Sequence, residues 1–153
     1  MSDAALNPSL TLMRRFEAPA ALVFAAWTDP ERMIRWWATK NAVTLRAEAD
    51  LRVGGKFRVA FQTPDGEVHD VSGTYLEVEQ DRKLVFTWTW ISTPERESRV
   101  TLALKEEGEK TLLTLTHDKF IDETVRDDHR NGWSQALDNL EAFINASIER
   151  RSS

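Results

Sequence analysis

Apolar and polar residues alternate from Leu10 to Phe16, with Leu10, Leu12 and Arg14 on one face and Thr11, Met13 and Arg15 on the other, and that period predicts a strand. Pro19 suits the first helical position, where a missing N–H costs nothing. Leu22, Val23, Ala26 and Trp27 then share one face of a short helix over Ala20 to Trp27. In Thr28-Asp29-Pro30-Glu31, Asp29 reads as an N-cap, Pro30 as the first helical residue and Glu31 as an acid in the first turn. The second helix carries Met33, Ile34, Trp36 and Trp37 and is predicted to end near Thr39.

The period then changes from 3.6 to 2. Strands are predicted over Val43 to Asp50, Lys56 to Gln62, Val68 to Glu79, Lys83 to Trp90, Glu97 to Lys105 and Lys110 to His117. The turns between them are Gly54-Gly55, Thr63-Pro64-Asp65-Gly66, Gln80-Asp81-Arg82 and the segment around Gly108, and a bulge is expected near Gly73. From Asp122 to Ile148 the apolar positions Val125, His129, Trp133, Ala136, Leu137, Leu140, Phe143, Ile144 and Ile148 follow one helical stripe. A helix of that length spans roughly 40 Å, against a radius of gyration of about 15 Å for a chain of this size, so it must cross the whole domain. The predicted class is α+β: a curved antiparallel sheet wrapped around one long C-terminal helix.

Composition narrows the function. The chain has 153 residues, enough for one domain, predicted over 9–149 with loose ends at 1–8 and 150–153. Lys and Arg number 20 against 25 Asp and Glu, and a net charge of −5 argues against binding a nucleic-acid backbone. The absence of cysteine excludes disulfides, thiol nucleophiles, iron–sulfur clusters and cysteine zinc sites. No apolar run reaches the roughly 20 residues of a membrane span, and no basic segment precedes an apolar one at the N-terminus. Together these features point to a cytoplasmic protein with no membrane insertion. Six Trp stand beside a single Tyr.

Alternation places Phe57, Phe61, Phe86, Trp88 and Trp90 on one face of the sheet, and the long helix offers Trp133 and Leu137 to the same side. Such rings have two readings. One is a plain core, since each buried aromatic removes about 150–250 Å² from water. The other is the wall of an apolar ligand site, because a plain core is built more simply from Leu, Ile and Val, and indole brings an N–H that needs a partner.

Several stretches carry a family likeness. Thr28-Asp29-Pro30-Glu31 followed by Trp36-Trp37, Gly54-Gly55 with Phe57, Phe86-Thr87-Trp88, Thr116-His117 followed by Phe120, and Gly132-Trp133 with Leu137 together resemble the START-like (SRPBCC) superfamily. The branch is similar to the C-terminal domain of the activator of the heat-shock-protein-90 ATPase. The resemblance implies a helix-grip fold, in which seven antiparallel strands surround the C-terminal helix and two small helices close the mouth. It also implies a deep hydrophobic cavity. Superfamily members bind lipids, hormones and polyketides, and some are cyclases or hydrolases, so no single function is implied.

The candidate ligand-binding residues are Trp36, Trp37, Phe57, Phe61, Tyr75, Phe86, Trp88, Trp90, His117, Phe120, Trp133 and Leu137. Trp36 and Trp37 read either as a gate at the mouth or as a packing lid, and about 100° of helical rotation keeps them from pointing the same way. Trp88 and Trp90 are about 6.6 Å apart on one strand face. The Tyr75 hydroxyl reads as a ligand anchor or as an edge tyrosine facing solvent. His117 reads as a polar anchor or proton donor, or as a strand-end histidine bonded to a turn. Tyr75 and His117 are also the weak catalytic candidates. Glu77 and Asp118 are the only acids expected to face inward, and neither has a partner fixed by sequence.

No metal is expected, because three histidines in separate elements do not converge by spacing, and no cofactor motif occurs. The reading preferred is binding of a small hydrophobic or amphipathic molecule between sheet and helix. Alternatives are a polyketide-cyclase-like or hydrolase-like enzyme using the same cavity, and a chaperone-ATPase-activator-like interaction protein. The free sheet edges also suit a homodimer.

Overall fold

The computed structural model describes residues 8–38 and 41–152. The order is β1 (Leu10–Phe16), α1 (Ala20–Thr28), α2 (Pro30–Trp36), β2 (Val43–Ala49), β3 (Lys56–Gln62), β4 (Val68–Glu79), β5 (Lys83–Trp90), β6 (Ser98–Glu107), β7 (Lys110–Asp118) and α3 (Glu123–Ser152). All seven strands form one antiparallel sheet in the order β1-β7-β6-β5-β4-β3-β2. β1 and β2 are therefore opposite edges, and α1 and α2 carry the chain from one edge to the other. This is the helix-grip architecture, with the buried apolar residues of the sheet facing α3.

Local chemistry explains the helix starts. Asp29 accepts a hydrogen bond from the Glu31 amide (3.1 Å), and Pro30 follows as the first residue of α2. Asp122 accepts from the Val125 amide (2.8 Å) and so opens α3. Pro19 stands one residue earlier than expected: it is the N-cap of α1, with φ −70° and ψ 156°, and its carbonyl accepts from Leu22 and Val23. α3 runs to Ser152, so 150–152 are helical rather than loose ends. The expected loose segment at residues 1–7, the expected helix end at Thr39, the side chain of Ile148 and Ser153 lie outside the described residues. Among the described residues no helix is long and apolar enough to cross a membrane.

Four expectations are corrected by backbone geometry. Trp36 ends α2, and Trp37 leaves the helix at φ −75° and ψ 88°. Freed from the 100° rotation, both indoles turn inward, stacked with ring centroids 5.2 Å apart. Ile34 of the same helix is exposed. The bulge in β4 falls not at Gly73 but between Tyr75 and Glu77, where the pairing with β5 slips. The slip reverses the inside–outside phase, so Glu77 points to solvent and pairs with Lys83 (3.1 Å). Asp118 also faces outward: its neighbour His117 takes the inward position, and Asp118 forms a two-bond pair with Arg99, directly opposite on β6.

Gly73 is where the neighbouring strands β3 and β5 crowd the backbone of β4. It lies opposite Phe57, whose ring covers it, and a β-carbon there would stand 1.8 Å from the Thr87 carbonyl oxygen and 2.4 Å from the Phe57 ring. Gly54 is different: its φ of 87° needs glycine, but among the described residues nothing lies within 4 Å of an added β-carbon. Gly73→Ala should therefore lower unfolding free energy by about 3 kcal/mol or more. Gly54→Ala should lower it by about 1–2 kcal/mol. Urea denaturation of the two variants checks this order.

Candidate functional site

α3 crosses the sheet with one face of small and large residues one turn apart. His129, Gly132, Trp133 and Ala136 occupy that face, and Gly132 and Ala136 withhold the bulk that would fill the space beneath them. The sheet answers with Trp88 and Trp90 on β5 and with Phe61 on β3, while the end of α2 contributes Trp37 and Ala38. The space left is a cavity of about 320 Å³, partly open to solvent and almost wholly apolar. Asp128 and the cross-strand neighbour of Phe61, His69, stand on the same wall. The His69 ring stacks on Phe61 with centroids 5.2 Å apart.

The six indoles form one connected cluster. Trp27 lies 4.7 Å from Trp36, 5.4 Å from Trp37 and 5.8 Å from Trp133 between ring centroids, so it belongs to the cluster and is more than local packing of α1. Trp88 stacks on Trp37 at 6.2 Å and lies 4.9 Å from Trp133 and 5.5 Å from Trp90. The indole N–H of Trp36 donates to the Ala26 carbonyl at 2.8 Å.

Two other indoles donate to histidine. Trp133 Nε1–H donates to Nδ1 of His117 (3.0 Å), leaving the His117 proton on Nε2, where it is donated to Ser98 Oγ (2.7 Å). Ser98 in turn donates to the Trp88 carbonyl (3.3 Å). Trp90 Nε1–H donates to Nε2 of His129 (2.9 Å), and His129 Nδ1–H donates to the Val125 carbonyl (2.8 Å). Both imidazoles are thus held neutral, in opposite tautomers, with both ring nitrogens engaged. Burial pushes the pKa of His117 well below 6.5, and the neighbouring His129 adds to the effect. Burial lowers His129 as well, partly offset by its bond to Val125 and by Asp128.

The sequence candidates divide into two groups. Trp37, Phe61, Trp88, Trp90 and Trp133 line the cavity. Trp36, Phe57, Tyr75, Phe86 and Leu137 are buried core residues behind that wall. Tyr75 does not face solvent; it packs against Phe57 and Phe86, and burial pushes its phenol above the usual tyrosine range. His117 is fully buried behind Trp88 and Trp133, and Phe120 packs on its ring at 4.2 Å. Neither catalytic candidate reaches the cavity. His129, Gly132 and Ala136 were not among the candidates, although their spacing in the helical stripe marks them as neighbours of Trp133 on one face. His69 is signalled only by the strand register that sets it opposite Phe61. Among the described residues no three His, Asp or Glu side chains converge on a common point that could hold a metal.

Comparison with known proteins agrees with this architecture. Residues 17–145 match the family described as Activator of Hsp90 ATPase homolog 1-like protein. A protein from Nitrosomonas europaea of known structure is 25% identical, with a TM-score of 0.80 over 96% of this chain and 99% of that one. CalU16 from Micromonospora echinospora is 34% identical, with a TM-score of 0.68 over 93% of this chain and 79% of that one. The AHSA1 protein from Silicibacter pomeroyi shares the fold at 24% identity, with a TM-score of 0.79 over 93% of this chain and 99% of that one. A search of curated proteins returns no match.

The neutral histidines give the fold a pH dependence of definite sign. Once unfolded, each imidazole takes a proton near 6.5, whereas in the fold it resists protonation to lower pH. Below 6.5 the unfolded chain therefore binds more protons, and stability falls with acidification until the folded values are reached. Asp65, Asp70 and Glu107, held below their usual ranges first by hydrogen bonds from Thr63, Arg58 and Arg15 respectively, act in the same direction only at lower pH. Urea midpoints should be level above 6.5 and decline below it, with the ring NMR signals of His117 and His129 titrating below 6.5. A midpoint that rises on mild acidification contradicts the assignment.

Proposed function

The chain belongs to the family of Activator of Hsp90 ATPase homolog 1-like proteins, and from that premise we propose that it binds a small hydrophobic or amphipathic molecule in the cavity between the sheet and α3. One observation carries the reading: about 320 Å³ of space is left open among Trp37, Phe61, Trp88, Trp90 and Trp133, where ordinary core residues would close it. Such a wall offers apolar contact and ring faces, and its polarity is confined to His69, His129, Thr63 and Asp128. A flat or branched apolar body of modest size suits it.

The state of His117 and His129 supports binding and removes both as proton acceptors toward the cavity. His117 is sealed behind the indoles, and both ring nitrogens of His129 are already committed to hydrogen bonds. A general base needs a nitrogen free to take the proton it abstracts.

Aminoanthracene, an apolar ring system whose emission rises in a dry environment, is a suitable probe. It should form a one-to-one complex, visible by native mass spectrometry, with enhanced fluorescence. Ala136→Phe fills the cavity from α3 and should weaken that binding by about tenfold or more, a loss of roughly 1.4 kcal/mol or greater. Equal affinity in the variant, with its fold intact by circular dichroism, contradicts the proposed site.

A further inference from the structure

A second cavity, of about 300 Å³, lies on the other side of β5, and its wall includes three residues that also line the first: Trp88, Trp90 and His129. Its chemistry is different. Where the first is apolar, the second is lined by Glu95, Arg96 and Glu97 from the β5–β6 connection and by Lys119 after β7. These four side chains form no ion pair among the described residues. Two cations and two anions on one wall suit a polar group without net charge.

The partition between the two spaces is made of the rings of Trp88, Trp90 and His129, and the hydrogen bond from the Trp90 indole N–H to His129 Nε2 at 2.9 Å holds two of them together. Trp90 stands beyond the part of β5 that is paired with β6. The last residue pair between β5 and β6 is Trp88 with Ser98, so Trp90 is aligned only with Val71 of β4. Its ring is half-buried, whereas Trp88 is 4% exposed. Beyond it the chain turns away, with the Thr93 amide donating to the Trp90 carbonyl at 3.0 Å.

Resting on the reading of the first cavity as a ligand site, we propose that the two cavities are halves of one site for an amphipathic molecule with an uncharged polar head. The apolar body lies among Trp37, Trp88 and Trp133, the head lies among Arg96, Glu97 and Lys119, and the Trp90–His129 bond must open for both halves to be filled. Trp90 and His129 then set the size limit: a molecule that fits the first cavity alone leaves their bond intact, and a longer one replaces it.

Octanol and octyl glucoside, the latter kept below its micelle concentration, share one chain and differ in head. Calorimetric titrations of both into the wild-type protein and Trp90→Phe test the proposal, since phenylalanine keeps a ring in place but removes the N–H. Because Trp90 also lines the first cavity, octanol serves as the reference for the altered wall, and the effect of the lost N–H is read as the ratio of octyl glucoside to octanol affinity in each protein. That ratio should rise about tenfold in Trp90→Phe, because the variant no longer has that hydrogen bond to give up. A gain relative to octanol is not an outcome that misfolding produces. In the wild-type protein, the Trp90 indole N–H resonance should shift with octyl glucoside and stay in place with octanol. An octyl glucoside to octanol ratio equal in both proteins, or an unmoved resonance, overturns the joined site while octanol binding to the wild-type protein keeps the first cavity as a ligand site. Failure of both molecules to bind either protein overturns the ligand-site reading itself, and the joined site with it.

Discussion

Each indole that the sheet and α3 close around carries an N–H that loses water on burial, and leaving such a donor bare costs about 1–3 kcal/mol. The interior is arranged around that requirement. Trp36 reaches a carbonyl of α1, Trp133 reaches His117 and Trp90 reaches His129. The two histidines can accept only while neutral, and each is fixed in the matching tautomer by a second bond, to Ser98 or to the Val125 carbonyl. Among the described residues the indole nitrogens of Trp27 and Trp88 have no hydrogen-bond partner; Trp27 and Trp88 instead meet neighbouring rings in edge-to-face contact.

These bonds bear on why an open space persists. Rings free to rotate would settle into the gap left by Gly132 and Ala136. Trp133 and Trp90 are tied at their edges to histidines on β7 and α3, and Trp37 is stacked between Trp36 and Trp88. The same pairing explains how the His129 imidazole can stand beside an apolar cavity without offering it a free proton acceptor. The persistence of the open space and the expected acid sensitivity of the fold thus have a common origin in the neutrality of His117 and His129.

Much of the architecture was legible from periodicity. The strands, the capped start at Asp29-Pro30 and the long helical stripe appear at or within two residues of their expected bounds, apart from the two helix ends noted above, because alternation and capping are local signals. What was not legible depended on a few backbone angles. The break of helical geometry at Trp37 decides that both adjacent indoles face inward, and no pattern of residue types announces it. The slip after Tyr75 sends Glu77 outward, a one-residue effect in a strand whose alternation is otherwise regular. In the site, the bulky residues announced themselves, and about half of them line the cavity while the rest form the core behind it. The residues that create the space are small, and their meaning comes only from their place opposite the rings. Polar pairing was hidden as well: Trp90 and His129 are 39 positions apart and meet only through the fold.

The most direct measurement is a crystal structure of the protein under xenon pressure, since xenon enters apolar cavities and avoids hydrated ones. Xenon should occupy the space bounded by Trp37, Phe61, Trp88, Trp133 and Ala136, with Trp90 still bonded to His129. A space closed by rotated indoles, or filled by water ordered on polar groups, contradicts a site built for an apolar ligand.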